Sequence, residues 1–443
     1  MGLENVGDLP LNVILSKLGP KGAAQAACVS KQFKTSSYQE SLWCEFCLRD
    51  IDLLAPHDPH GNRVPSFKEA YKLWLDEFGI YPMTLVKRVK RCWENLENWL
   101  AANFPEIVNK LNKGVSEAQL QEFEEQLELK LPIPTRILYR FHNGQVLKNE
   151  LPTGKNRNSL CLIGGYCFYT HFVNVSLLPL EGVAMETNSM REYFQEYGHL
   201  EGNCVVVASS EHGEKSFVLH CDDGRMHVGS VNFQPGREPL VCVPDALFSS
   251  EDEPYGHLQQ DALLFWLEEH FRRLQNGDIK FREEDNFCGF CQFPEKPPLC
   301  SCAITNGIMV RASAVFVPEL SNLEESSEPY FFSYSIRMSL SSDGCIINGM
   351  RFDSCQLCSR HWIIRAHDTV VSRVSGEAVI GKFPLLLPGD KEFVYESCAS
   401  LPAASGSIEG SFTFVPGSLA NRLGPDFEVK VARFPLRIPD YIF

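Results

Sequence analysis

At 443 residues the chain has room for roughly two to four domains, and its 44% hydrophobic and 22% charged content is that of a soluble globular protein with material for several cores. A net charge of −15 argues against a nucleic-acid binder, because phosphate contacts need a basic face, and no apolar run is long enough to span a bilayer. Residues 1–30 lack the basic start, apolar core and small-residue cleavage site of a secretory signal. The seventeen cysteines are odd in number and scattered from Cys28 to Cys398, so reduced thiols of the cytoplasm or nucleus are expected rather than a disulfide framework. In that compartment the sequon Asn174-Val-Ser176 is silent.

The first informative stretch runs from Leu9 to Trp43. Asp8 can cap a helix whose first turn accommodates Pro10, and Leu11, Ile14, Leu15 and Leu18 share one face of it. Gly19-Pro20 stops that helix. A second helix from Lys21 offers Ala23, Ala26, Ala27 and Val29 as a close-packing face, and a third holds Leu42 and Trp43 after the polar spacer Thr35 to Ser41. Helices this short need a neighbour for their apolar residues. Leu9-Pro10, Val13-Ile-Leu15, Ala26-Ala-Cys-Val-Ser-Lys31, Phe33 and Leu42-Trp43 together resemble an F-box, with Phe33 standing where that family commonly has Trp. The resemblance implies a three-helix unit at residues 1–50 that docks on a Skp-type adaptor of a cullin ubiquitin ligase. It implies an adaptor face drawn from Leu9, Pro10, Leu11, Ile14, Leu15, Val29 and Trp43.

Residues 51–91 read as a helical linker. Phe67, Ala70, Tyr71, Trp74, Leu75 and Phe78 recur at helical spacing before Gly79, and the basic run Lys87 to Arg91 reads as a solvated face leading into a helix marked by Trp93, Leu96 and Leu100. Ser116 with Gln119 spells a capping box, opening a helix with Leu120, Phe123 and Leu127 on its apolar face. Leu131-Pro-Ile-Pro134 breaks it. A second helix carries Ile137, Leu138, Tyr139 and Phe141 to a left-handed stop at Asn143-Gly144. This order is similar to the SUKH (SMI1/KNR4-like) family, an α+β interaction module without shared catalytic residues. That assigns residues 92–250, with strands expected at 160–163, 204–208, 216–219 and 226–229.

Residues 251–302 read as an acidic break at Glu251-Asp-Glu-Pro254, a connecting helix over Leu258 to Leu274, and a Cys-rich linker. Cys288, Cys291, Cys300 and Cys302 could wrap a tetrahedral zinc or be four reduced thiols. Their second pair has the wrong spacer for a familiar ribbon, and no other cofactor is expected. Cys44-x-x-Cys47 and Cys355-x-x-Cys358 lack the βαβ context of a redox motif and read as structural.

From Thr305 the spacing changes to alternation, with strands at 308–315, 330–338, 355–365, 393–397, 410–414 and 427–434, which means an antiparallel β-sandwich. Thr305-Asn-Gly-Ile308, Leu357-x-Ser-Arg-His-Trp-Ile-Ile364, Val374-x-Gly-Glu-x-Val-x-Gly381, Pro384-x-Leu-x-Pro-Gly389 and Gly406-x-Ile-x-Gly410 resemble an ApaG domain, implying an immunoglobulin/fibronectin-like fold over residues 303–443. Bacterial members carry Gly-x-Gly-x-x-Gly where this chain has Gly376 to Gly381, and Ala378 replaces the glycine that would let the backbone approach a phosphate. A turn between strands suffices there. Alternation separates Arg360 and Trp362 from His361, with Trp362 expected in the core.

The expected protein is therefore multidomain: a small all-α F-box, an α+β SUKH-like domain and a C-terminal all-β ApaG sandwich. The order resembles that of ApaG-containing F-box proteins of plants, the Skp-interacting partner class. The resemblance implies a non-catalytic substrate receptor of an SCF-type E3 ubiquitin ligase, with a Skp-type adaptor, and through it cullin and RING subunits, as partners. Neither nucleic acid nor membrane is expected as a partner. The alternative is a nucleotide- or pyrophosphate-binding sensor or hydrolase built on the sandwich.

Overall fold

A computed structural model describes residues 8–146, 160–197, 203–211, 213–229, 240–248, 261–284, 287–323 and 327–443. Contacts group the chain into two compact units, Met1–Glu97 with Arg136–Phe141, and Asn98–Thr135 with His142–Phe443. The acidic break at Glu251–Pro254 and the expected helix start at Leu258 lie outside the described residues, as do the side chains of Asp8 and Leu9.

The first unit is helical. Helix α1 (Asp8–Ala26) is broken at Gly19 (φ 74°, ψ 178°), the residue before Pro20. Helix α2 (Lys31–Ser37) starts where Ser30 Oγ accepts the Phe33 N–H at 3.3 Å, so Thr35–Ser37 are helical rather than spacer. Helix α3 (Glu40–Ile51) turns Leu42, Trp43 and Phe46 inward. Helix α4 (Phe67–Phe78) is capped by Ser66 and buries Ala70, Tyr71, Trp74 and Phe78 at the predicted spacing. Helix α5 (Met83–Asn103) contains no glycine or proline and runs straight through the boundary expected between residues 91 and 92. Its basic run is ion-paired more than solvated: Lys87 and Arg91 both reach Asp52, and Lys90 is buried against Glu94 at 2.7 Å.

After α5 come helix α6 (Pro105–Val108), strand β1 (Leu111–Lys113), helices α7 (Glu117–Leu127) and α8 (Ile133–Phe141), and β2 (His142–Gln145) paired to β1; all of these fall in the second unit except Arg136–Phe141 of α8. The capping box forms as read, and Gly144 takes φ 58° inside β2, where an added Cβ would meet the Leu178 carbonyl at 2.4 Å. Next come β3 (Gly164–Phe168), β4 (His171–Leu177), helix α9 (Leu180–Tyr197), β5 (Cys204–Ser210), β6 (Ser216–His220), β7 (Met226–Gly229), β8 (Leu240–Val241), helix α10 (Ala262–Asn276), β9 (Lys280–Glu284) and β10 (Phe287–Cys291). They form one eight-stranded sheet in the order β8-β7-β6-β5-β4-β3-β10-β9, antiparallel except at β3–β10.

Two expectations change here. Residues 160–163 are not a strand, because side chains take both backbone groups of Leu162: Gln145 Oε1 accepts its N–H at 2.7 Å, and His270 Nε2 bonds its carbonyl at 2.8 Å. The stretch read as a Cys-rich linker is β9, β10 and the start of the sandwich, since β10 completes the sheet beside β3. Asp261 fixes α10 by accepting the Leu264 N–H at 2.9 Å, and also the Thr135 N–H and hydroxyl at 2.7 and 2.6 Å.

The remaining chain is the predicted sandwich: β11 (Cys300–Thr305), β12 (Ile308–Phe316), β13 (Tyr330–Leu340), β14 (Cys345–Ile347), β15 (Met350–Phe352), β16 (Cys355–Ala366), β17 (Thr369–Glu377), β18 (Leu385–Leu386), β19 (Phe393–Leu401), β20 (Ser405–Pro416) and β21 (Phe427–Arg437). One sheet runs β11-β12-β13-β19 and the other β17-β16-β20-β21, with β18 on β16 and β14 and β15 forming a separate hairpin. Phe332, Ile336, Trp362, Phe412 and Phe434 fill the space between them. Strand β11 crosses the boundary expected at residues 302 and 303.

The middle domain and the sandwich meet around a buried carboxylate. Glu319, in the turn after β12, accepts the Tyr166 hydroxyl at 2.7 Å and bonds His171 Nε2 at 2.9 Å, while Lys215 Nζ donates to Tyr166 Oη at 3.2 Å and to the Phe443 carbonyl. Desolvation alone would push this carboxyl up. The charge of Lys215 and the two hydrogen bonds outweigh it and hold Glu319 below the usual range. Segment Tyr441–Phe443 is threaded into the same joint: Trp266 Nε1 donates to the Ile442 carbonyl at 2.7 Å, and the Trp266 and Phe443 rings stack at 5.3 Å. At the other end, Arg337 of β13 pairs with Glu284 of β9 at 2.7 Å, and Arg311 of β12 bridges Glu295 at 3.1 Å and Glu392 at 2.6 Å.

Replacing Glu319 by Gln should cost about 3–5 kcal/mol, the usual cost of leaving one buried partner uncompensated, and Glu319→Gln/Lys215→Met should cost less than the sum of the two singles. Urea melts of the four proteins check this, and additive costs would contradict it. A second carboxylate in the joint behaves oppositely. Burial, then the neighbouring Glu284, raise Glu396 to about 7 despite Arg337. The folded state therefore keeps a proton that the unfolded chain has released, so stability is full below about pH 4.5 and falls as pH rises through 7. Glu396→Gln should remove that fall, gaining on the order of 2 kcal/mol at pH 8 and nothing at pH 4, as read by Tm across pH.

Candidate interaction surface

The seven residues expected to form an adaptor face divide between core and surface. Leu11 and Leu15 are fully buried, and Trp43 is nearly so, its Nε1 donating to the Ser37 carbonyl at 2.7 Å and its ring set edge-on to Phe46 and Tyr71. These three hold the helices together and cannot offer side chains to a partner. Pro10 is exposed, Ile14 half-buried, and Val29 is 70% exposed in the turn between α1 and α2. The side chain of Leu9 lies outside the described residues.

The exposed apolar residues add what the sequence reading assigned otherwise. Leu18, read as part of the buried face, is 56% exposed, and Val13 is 59% exposed. Pro10, Ile14 and Leu18 follow at i, i+4 and i+8, a continuous stripe along α1 beside the buried pair Leu11 and Leu15. Leu18 escapes the core because Gly19 turns the chain one residue later. Lys68 lies 3.0 Å from the centroid of the half-exposed Tyr38 ring in the same unit, a cation–π contact that holds the ring in place. The stripe can bury apolar area against a partner helix, and it carries no acid–base pair.

The other expected sites separate as well. Cys288 and Cys291 lie three residues apart on β10, Cys300 and Cys302 on β11, and among the described residues no group of three or more His, Cys, Asp or Glu is gathered closely enough to hold a metal. Burial pushes the Cys291 thiol up to about 12. Cys44 and Cys47 sit one turn apart on α3, where desolvation raises Cys47 to about 12 and its thiol donates to the Phe67 carbonyl at 3.3 Å. The Cys47 thiol is not poised to act as a thiolate nucleophile.

The segment Gly376 to Gly381 is a turn off the end of β17, with Ala378 at φ 60° and Ile380 at φ 43°. Arg360 fills the space beside it, donating to the carbonyls of Glu377 at 3.0 Å and Ala378 at 2.6 Å. No helix follows whose N-terminus could face a phosphate. Trp362 is core, as alternation predicted, and His361 Nδ1 is bonded to Ser375 Oγ at 2.8 Å. Among the described residues no helix is long and apolar enough to cross a membrane.

Comparison with known proteins places these features in families. The ApaG domain family matches residues 320–416, and the SMI1/KNR4 family (SUKH-1) matches residues 114–250. The F-box protein SKIP16 of Arabidopsis thaliana is 53% identical over 445 residues, covering 100% of both chains. F-box only protein 3 of Homo sapiens is 26% identical over 443 residues, covering 99% of this chain and 84% of its own length. Protein ApaG of Methylobacterium sp. is 37% identical over 137 residues, which is 31% of this chain and 92% of that one.

Proposed function

The chain belongs to the F-box proteins that carry SUKH and ApaG domains, and from that membership we propose that it is the substrate-recognition subunit of an SCF-type E3 ubiquitin ligase. The N-terminal helices bind a Skp-type adaptor, and through it cullin and RING subunits. The middle domain and sandwich hold the protein to be modified. No residue of this chain does chemistry in that scheme: its contribution is to raise the effective concentration of a client lysine beside the charged ubiquitin-conjugating enzyme. It works in the cytoplasm or nucleus.

The observation that carries the reading is the apolar stripe on α1, Pro10, Ile14 and Leu18, flanked by the exposed Val13. Uncovered apolar side chains at helical spacing are what a helix-in-groove partner takes up, and a few such anchors dominate interface energy. The buried residues Leu11, Leu15 and Trp43 act one step back, by fixing the angle at which α1 is presented.

Affinity for a purified Skp-type adaptor tests this. Val13→Asp/Leu18→Asp should weaken binding by about 100-fold or more, with Tm unchanged because both side chains are already in water. Ile80→Asp, at a residue 69% exposed elsewhere in the same unit, should leave affinity as it is. Tight binding that survives the double substitution would contradict the assignment of the face.

A further inference from the structure

A cleft of about 390 Å³ lies where the middle domain meets the sandwich. Helix α10 supplies Arg272 and Arg273 to its wall, the loop before β11 supplies Lys296, the end of β21 supplies Arg437, and the segment after it supplies Asp440. The charges do not cancel locally. Glu269 and Asp278, the other two carboxylates in the lining, are committed to Arg272: Glu269 takes it in a fork at 2.7 Å per arm, and Asp278 at 3.1 Å. Among the described residues Arg273 donates to neutral partners, Gln292 Oε1 at 2.7 Å and more weakly the Gln292 carbonyl at 3.4 Å; its guanidinium lies 4.5 Å from the centroid of the Phe443 ring, and the charges of Glu269 and Asp278 reach it without a hydrogen bond. Lys296 Nζ donates to the Asn276 carbonyl. Arg437 is exposed and has no side-chain partner among the described residues. Four cations thus line one cleft against three carboxylates; two of these pair with Arg272, and Asp440 has no ion-pair partner among the described residues.

The cost of this arrangement shows at Arg273, where burial lowers the guanidinium's pKa to about 10, still protonated at neutral pH. Much of the remaining lining is apolar and proline-rich, with Pro294, Pro297, Pro298 and Pro439 beside Tyr441. Preorganised apolar walls of that kind grip an extended backbone at low entropic cost, and a cleft of this volume takes a few side chains rather than a folded surface.

We propose that this cleft is a receptor site for a short extended segment of the client protein that presents an oxyanion, a carboxylate or a phosphate, to Arg273, Lys296 and Arg437. Gln292 takes two of the five N–H groups of the Arg273 guanidinium, which lies 4.5 Å from the Phe443 ring centroid, and the remaining N–H groups are donors of the kind a carboxylate or phosphate takes. This deepens the receptor reading above and rests on it for the identity of the ligand as a client segment.

The test uses the full chain and four sets of degenerate peptides whose fixed central residue is phosphoserine, glutamate, serine or glutamine. The phosphoserine or glutamate set should be retained at least about tenfold over its neutral counterpart, as charge-assisted hydrogen bonds predict, and which of the two wins identifies the anion. Arg437→Gln, at an exposed position, should abolish that preference with Tm unchanged. Arg273→Gln should do the same, and if it unfolds the chain the Arg437 variant still decides. Equal retention of the neutral sets, or a preference indifferent to Arg437→Gln, would overturn the proposal. So would complete displacement by inorganic phosphate with no selection at the flanking positions, which would mark a free-oxyanion site. Adaptor binding by the same preparation is measured in parallel: acidic peptides bound without adaptor would sink the receptor reading and leave the cleft standing, and the reverse would do the opposite.

Discussion

The interaction on which the larger unit depends is the one between Glu319 and Lys215. Both side chains are fully out of water, in different domains, joined through the Tyr166 hydroxyl and flanked by His171. Charges buried this way are tolerable only where partners meet them, so the middle domain and the sandwich can part only by exposing or orphaning both. The aromatic stack of Trp266 on Phe443 and the ion pairs from Glu284 of β9 to Arg337 of β13 and from Glu295, in the loop after β10, to Arg311 of β12 reinforce the same joint. Two family modules therefore behave as one body, and the cleft between them is a built feature of that body.

That arrangement has a functional consequence. A receptor that must hold a client near a second enzyme gains from stiffness, because effective concentration is lost when the holding surface wanders. The first unit solves a different problem. Its core is small, knit by Leu11, Leu15, Trp43 and Phe46, and it leaves apolar residues of α1 in water. Exposed apolar side chains next to a packed core are costly to an isolated domain and useful to one that works in a complex.

How much of this was legible in the sequence follows from what pattern can encode. Strand β21 was readable because about one side chain in two faces a dry interior, β13 because a long apolar and aromatic run is buried along most of its length, and the quoted motif Leu357 to Ile364 lies on β16. Strand β17 was missed because it is an edge strand without a buried residue, so alternation had nothing to mark. Strands β9 and β10 were taken for linker because a charged edge and a Cys-rich run look alike whether or not a sheet lies beside them. On α1 the periodicity identified the apolar residues correctly but could not divide them: Leu15 and Leu18 read alike, and only the break at Gly19 and the packing of α3 put one inside and one outside. The cleft was invisible, since its cations come from three segments spread along the chain from Arg272 to Arg437, and no local spacing joins them.

Native-state hydrogen exchange on the full chain, in rising but sub-denaturing urea, addresses the central claim most directly. If the buried joint makes one body, the slowest amides of β4 to β6 and of β13, β16 and β20 will converge on a single opening with one free energy and one urea dependence. Two separate isotherms, with the middle-domain strands opening while the sandwich stays protected, would show that the joint does not couple the domains and would contradict the account.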